Sequence, residues 1–202
     1  MGVKERRERE EGARLAAIIV AAERVFMERG YFHARMEDIA EAAELAKGTI
    51  YYYFKSKDEI FVHILEREAR KIHAEITRRM AGTNSFLGLL ELWIDFYLEY
   101  FEKNQGYLRM FLPCMGGVIR FEDKAAGRKL LRNAEQWRDL RETFKAQIGG
   151  ERLPFELGEI MKFLKTLQIG MGLKLLEGDK AEARAAGRFF LEMMKRVMEA
   201  KS

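Results

Sequence analysis

The sequence predicts an all-α protein, with a small N-terminal three-helix module followed by a larger helical body. Apolar residues recur at three- and four-residue spacing through most of the chain. Only two prolines, Pro113 and Pro154, interrupt 202 residues, and no useful length of sequence alternates apolar with polar as a half-buried strand would. With 48% hydrophobic and 34% charged residues, the chain has the composition of a folded protein with a sizeable core.

Leu15, Ile18, Ile19, Ala22, Val25 and Phe26 fall on one helical face, and Gly30 stands where a left-handed glycine ends a helix. The polar extension upstream offers Glu5 with Arg9 and Glu10 with Arg14 at i,i+4, and reads as a frayed, mobile arm. Met36, Ile39, Ala40 and Ala43 predict a helix of about two turns, and Ile50 with Phe54 predicts another after Glu44-Leu45-Ala46. Ser56-Lys57-Asp58-Glu59 reads as a capping box, with Ser56 as N-cap and Glu59 reaching back, that opens a long helix to about Met80.

Gly82 to Ser85 breaks that helix, and from Phe86 apolar residues cover more than one face, so the next helix should be buried on several sides. A short helix resumes from Tyr107 to Leu112, ended by Pro113 and Gly116-Gly117, and a helix of about 25 residues runs from near Phe121 to Ile148. Two final helices meet at Glu177-Gly178-Asp179, where Asp179 caps and Glu182 occupies the capping-box position. The first of them carries two apolar stripes: Ile160, Leu164, Leu167, Met171 and Leu175 on one side, and Ile169, Leu173 and Leu176 about half a turn away. One stripe can face the protein's own core, and a second copy of the same helix pair is the simplest partner for the other.

The net charge of +4 invites a nucleic-acid reading, but residues 1–60 hold 11 Lys and Arg against 12 Asp and Glu. Any DNA interface must therefore rest on local placement. A single cysteine, Cys114, excludes an intrachain disulfide and a multi-cysteine zinc site. The N-terminus lacks a signal-peptide core and no apolar run approaches the roughly 20 residues of a membrane span, so a cytoplasmic protein without a membrane partner is expected.

The stretch Lys47-Gly48-Thr49-Ile50-Tyr51-Tyr52-Tyr53-Phe54-Lys55-Ser56-Lys57 places three consecutive tyrosines beside three lysines. Aromatic residues in helices are usually core, yet three in a row cannot all face one core, so at least one is exposed. Short helices joined by three residues suggest a helix-turn-helix whose last helix enters a DNA major groove. On that reading Ile50 and Phe54 point inward, Gly48 lets a backbone approach, Lys47 and Thr49 reach base edges, and tyrosine hydroxyls donate to phosphates. Lys57, at the start of the following helix, offers an ammonium and free backbone N–H groups to a phosphate.

Residues 18–65, with AAxxxFxxxG, then DIAxxA, then KGTIYYYFKSKDE, closely resemble the N-terminal DNA-binding region of the tetracycline-repressor (TetR) family of bacterial transcriptional regulators. The resemblance implies a homodimer of all-helical subunits that binds double-stranded, near-palindromic operator DNA, commonly as a repressor, and is released by a small-molecule effector. Carried over by position, Lys47, Gly48, Thr49 and Tyr51 face bases, and Tyr52, Tyr53 and Lys57 contact phosphates. Residues 1–56 form the DNA-binding domain and residues 57–202 the effector-binding and dimerisation domain, with 155–177 and 179–200 in the dimer bundle. Three positions depart from the family's usual residues. Arg35 stands for Thr and replaces a cap-mediated phosphate contact with a charge-assisted one; Ala46 stands for Ser or Thr. Glu44 stands for Gly in a left-handed turn, where it is mildly strained and adds like-sign repulsion near DNA.

The aromatic and methionine-rich region suits a hydrophobic effector pocket lined by Trp93, Phe96, Tyr97, Tyr100, Tyr107, Met110, Phe111, Cys114 and Trp137, though a plain core has the same composition. Arg109, Arg120, Lys124, Arg128 and Arg132 could steer an anionic head group, or form a wet helix face. An enzyme is not expected. The three serines lie at helix starts or the terminus, His63 and His73 are about 15 Å apart along one helix, and no glycine-rich phosphate loop appears, so neither catalytic residues nor a metal or cofactor are assigned. A protein-binding adaptor would explain the second apolar stripe but leaves the tyrosines and Lys57 without a role.

Overall fold

The structure, a computed structural model, describes residues 2–200 apart from the side chains of residues 3 and 131–140. Among the described residues it is all-α, with nine helices: α1 (Val3–His33), α2 (Met36–Ala42), α3 (Lys47–Tyr53), α4 (Lys57–Met80), α5 (Phe86–Lys103), α6 (Gln105–Met115), α7 (Lys124–Ile148), α8 (Leu157–Glu177) and α9 (Lys180–Glu199). They form two compact units, residues 1–68 with 120–133, and residues 69–119 with 134–202. α4 and α7 each run from one unit into the other.

In the first unit the expected stripe of α1, Ile18, Ile19, Ala22, Val25 and Phe26, is buried against Ile39 and Ala40 of α2, Ile50 of α3 and Ile60, Phe61 and Ile64 of α4, all of them core residues. Phe26 meets Phe61 edge-on at 5.0 Å, and Tyr31 meets Phe61 at 4.8 Å. Gly30 takes φ +72° as a terminating glycine should, but its ψ of 164° is extended, and one further turn reaches His33. The polar arm is helical, and its ion pairs are Arg6–Glu10 and Arg7–Glu11 rather than the two expected from spacing. The α2–α3 turn closes through Leu45 N–H to the Ala40 carbonyl at 3.0 Å, and Glu44 at φ 55° is the non-glycine residue at positive φ there. Neither Arg35 nor Ala46 caps its helix through a side chain; Asp38 instead accepts the Arg35 N–H at 2.9 Å. At the start of α4, Ser56 Oγ accepts the Glu59 N–H as expected, while the Glu59 carboxylate reaches the Lys55 N–H rather than that of Ser56.

In the second unit, α5 is capped by Ser85 and buries Phe86, Leu89, Leu90, Trp93, Ile94, Phe96, Tyr97, Leu98 and Phe101, leaving Glu91, Asp95 and Glu99 as a wet edge. Pro113 lies within α6, whose last turn continues to Met115. Gly178, left-handed at φ 85°, ends α8, and Asp179 caps α9; Glu182 pairs with Lys174 instead of closing a capping box. α8 and α9 pack together and against α5, and α6 packs on α8. Two glycines permit this. A Cβ at Gly172 would stand 2.6 Å from the Tyr97 hydroxyl, and one at Gly187 would stand 2.6 Å from Ile94 Cγ2. Ile160, Leu164, Met171 and Leu175 are buried and Leu167 is half-buried, while Leu173 is exposed and Ile169 and Leu176 are half-buried. Phe163 at 52%, Phe189 at 73% and Met193 extend the open apolar face onto both helices.

Candidate nucleic-acid interface

Burial of Ile50 (0% exposed) and Phe54 anchors α3 from within and turns its other faces outward. Lys47, Gly48, Tyr51 and Tyr52 are exposed, and Thr49 and Tyr53 half-buried. Tyr52 is the most open of the three tyrosines at 68% and meets the Tyr53 ring edge-on at 5.1 Å. The structure thus gathers six of the predicted residues on one short helix. Nothing lies within 4 Å of a Cβ built at Gly48. The fold itself would tolerate a side chain there, so a need for glycine would come from a partner approaching the backbone.

Electrostatics at this end are mixed. The Lys47 ammonium pairs with the Glu37 carboxylate of α2 and lies 5.7 Å from the Tyr51 ring centroid. The hydrogen bond with Glu37 raises the lysine's pKa, and the same bond lowers that of Glu37. Arg35 is exposed at the start of α2. Arg7, Glu10, Glu11 and Arg14 of α1 face Gly48, Thr49, Tyr52 and Tyr53 of α3 across a groove of about 570 Å³, so the polar arm borders α3.

Lys57 is placed differently from the sequence expectation. Its ammonium donates to the carbonyls of Tyr31 (3.0 Å), Phe32 (3.3 Å) and Ala34 (3.2 Å) and lies 4.7 Å from the Tyr31 ring centroid. Its three N–H donors are engaged with the end of α1, where a cation satisfies carbonyls the helix leaves unpaired. Beside it, Asp58 is buried, accepting the Tyr31 hydroxyl at 2.6 Å and the Asp123 N–H at 2.9 Å. Asp123 in turn caps α7 through the N–H groups of Ala125 and Ala126 and accepts the Ser56 hydroxyl at 3.4 Å. Those two bonds to the α7 N-terminus lead the causes that lower the Asp123 pKa. Sequence reasoning treated Asp58 only as part of a capping motif and gave Asp123 no role.

The residues proposed for an effector lie in the second unit. Trp93, Phe96, Tyr97, Tyr107 and Met110 are buried, Tyr100, Phe111 and Cys114 are half-buried, and Trp137 lies outside the described residues. Phe101, Tyr107 and Phe111 stack with centroids 5.5–5.9 Å apart, and Trp93 meets Phe144 edge-on at 6.2 Å. Tyr97 donates to the Gln168 carbonyl at 2.6 Å, and burial raises its pKa. Burial pushes the Cys114 thiol up to about 12, the mark of an inert rather than a reactive cysteine. The basic set divides between the units: Arg109 is in the second, whereas Arg120, Lys124 and Arg128 are in the first. Among the described residues no group of His, Cys, Asp and Glu is arranged to hold a metal ion, and no helix is long and apolar enough to cross a membrane.

A three-helix module that anchors one short helix by two core residues and turns its lysine, glycine and tyrosines to solvent is a helix-turn-helix DNA-binding module. Residues 18–64 match the family model described as bacterial regulatory proteins, tetR family. Residues 18–64 thus carry the N-terminal segment of the tetR family, and the curated relatives that match around it are described as transcriptional regulators. It is 29% identical over 99 residues to the HTH-type transcriptional activator FasR of Mycolicibacterium smegmatis, a match covering 48% of this chain and 45% of that one. It is 37% identical over 91 residues to the HTH-type transcriptional repressor BepR of Brucella suis, covering 44% and 43%. The chain thus spans about half the length of these curated relatives or less. Over 89% of its length it shares its fold with the transcriptional regulator FadR from Bacillus subtilis, solved in complex with stearoyl-CoA, at a TM-score of 0.71 and 17% identity, covering 96% of that chain.

Proposed function

We propose that the protein is a cytoplasmic transcriptional regulator that binds a near-palindromic operator as a homodimer and represses until a small hydrophobic effector releases it. The observation that carries this reading is the exposed end of α3, where Lys47, open Gly48, Thr49 and Tyr51 present donors and a close-approach backbone to base edges. Tyr52 and Tyr53 contact phosphates, joined by Arg35. Lys57 contributes by fixing the end of α1, which sets the entry into α2 and so the position of Arg35. Residues 1–56 read DNA, and residues 57–202 bind effector and dimerise.

The open stripe with Phe163, Leu173, Phe189 and Met193 supports dimerisation through residues 155–177 and 179–200, since a second copy buries the same face by two-fold symmetry. The stearoyl-CoA held by FadR favours a long-chain acyl thioester, anionic at one end, as the class of effector, with Trp93, Phe96, Tyr97, Tyr100, Tyr107, Met110, Phe111, Cys114 and Trp137 as its lining.

Selection of binding sites from random duplex DNA at near-physiological salt tests the reading. Recovery of a short inverted repeat, with release by long-chain acyl thioesters and not by the free thiol carrier, is the expected result. A folded dimer that recovers no motif would overturn operator binding and favour a ligand- or protein-binding module.

A further inference from the structure

Residues 1–68 hold 12 Lys and Arg against 14 Asp and Glu, so the helix-turn-helix part of the first unit is net negative, an unfavourable sign for a surface that approaches a polyanion. The segment 120–133, which packs into the same unit, holds five against two and makes the unit net positive. We propose that the start of α7, through Arg120, Lys124 and Arg128, is an accessory DNA-phosphate surface of the DNA-binding unit. The proposal rests on the operator-binding reading above and extends it to residues far outside the helix-turn-helix.

Two sets of contacts fix the segment that carries these cations to the helix-turn-helix module. Asp123, between Arg120 and Lys124, is held at the start of α4 by its N–H to Asp58 and by the Ser56 hydroxyl, three residues after Tyr53. Phe121 packs its ring 5.9 Å from Tyr31 and 6.2 Å from Phe61, inserting the segment into the module's aromatic core. The segment is therefore built into the module by polar and apolar contacts together. Lys57, the cation expected to serve a phosphate here, is saturated by α1 carbonyls, and the Lys55 ammonium donates to the Tyr51 carbonyl. Arg120, Lys124 and Arg128 are exposed, and the Arg128 charge also acts on the nearby Asp123 carboxylate. Lys129 differs: it pairs with buried Glu66 at 3.0 Å and serves the core. Three exposed cations on a segment anchored to the start of α4 supply the positive charge that residues 1–68 lack for approach to phosphates.

The test uses the 202-residue chain and two triple variants, R120Q/K124Q/R128Q and the charge-keeping R120K/K124R/R128K. Binding to the selected operator and to an unrelated duplex is followed by fluorescence anisotropy across salt concentrations. Each lost phosphate contact lowers the slope of log affinity against log salt by about 0.9, so two or three contacts per protomer predict a drop of roughly 4 to 5 for the neutral variant. Affinity should fall by the same factor on both duplexes, and the charge-keeping variant should retain the wild-type slope. An unchanged slope in the neutral variant, with wild-type protein binding normally, overturns the proposal and leaves operator binding intact. Equal losses in both variants make the role structural and overturn it too. Failure of the wild-type protein to bind either duplex at low salt removes the operator-binding reading itself, and the accessory surface with it.

Discussion

Asp58→Ala removes a buried carboxylate that ties together three parts of the first unit. The side chain accepts the Tyr31 hydroxyl at 2.6 Å and the Asp123 N–H at 2.9 Å. Hydrogen bonds to a carboxylate contribute about 1.5–3 kcal/mol each. A destabilisation of about 3–5 kcal/mol is expected in urea unfolding followed by circular dichroism, at fixed protein concentration because any self-association shifts apparent stability. Native-state hydrogen exchange should show the Asp123 amide losing its protection first, since its acceptor is gone. Tyr31→Phe removes one of the two bonds and should cost about 1–2 kcal/mol, and the double variant should lose less than the sum by about 1 kcal/mol or more. A cost for Asp58→Ala below about 1 kcal/mol, or strict additivity with Tyr31→Phe, would refute the assignment of Asp58 as the hub.

Glu44→Gly should stabilise by about 0.5–1 kcal/mol in the same unfolding assay, since φ 55° strains a residue with a Cβ more than the added chain entropy costs. Gly187→Ala and Gly172→Ala should each cost about 1–3 kcal/mol and lower the thermal midpoint, because the new Cβ would stand 2.6 Å from Ile94 Cγ2 and from the Tyr97 hydroxyl respectively. Cys114, its thiol pushed up by burial to about 12, should be alkylated at pH 8 far more slowly than an ordinary thiol. The sign follows from the thiolate being the disfavoured form: the native rate should climb about tenfold per pH unit through pH 10, and unfolding in urea should abolish the protection. Rapid labelling of the native protein at pH 8 would show that the thiol is not buried.

Helix positions and several caps were legible because they depend on residues within a turn of each other, whereas α1 runs past Gly30 and α6 through Pro113. Ser56 at the start of α4, left-handed Gly178 and Asp179 at the start of α9 all act over one to four positions, the span that periodicity and capping rules cover. That at least one of the three tyrosines is exposed followed from geometry alone, since a helix turns 100° per residue. Even locally, choice among competing pairs escaped: the arm offers Glu5 with Arg9 and Arg6 with Glu10 at equal spacing, and the structure takes the second. Glu59 likewise reached one residue farther back than the capping rule places it.

The sequence by itself determined the all-helical class, the order of elements, the outward-facing end of α3 and a second apolar stripe on α8, each written in residues a few positions apart. Tertiary structure alone decided that Lys57 serves carbonyls 23 to 26 residues away, that Asp58 holds Asp123 across 65, and that Tyr97 reaches Gln168 across 71. It also brought residues 120–133 into the DNA-binding unit and with them its positive charge. The physical reason is one of range. Backbone hydrogen bonds and caps are satisfied within a turn and leave a local pattern, whereas a side chain's distant partner is set by which helices pack together, and no spacing rule records it.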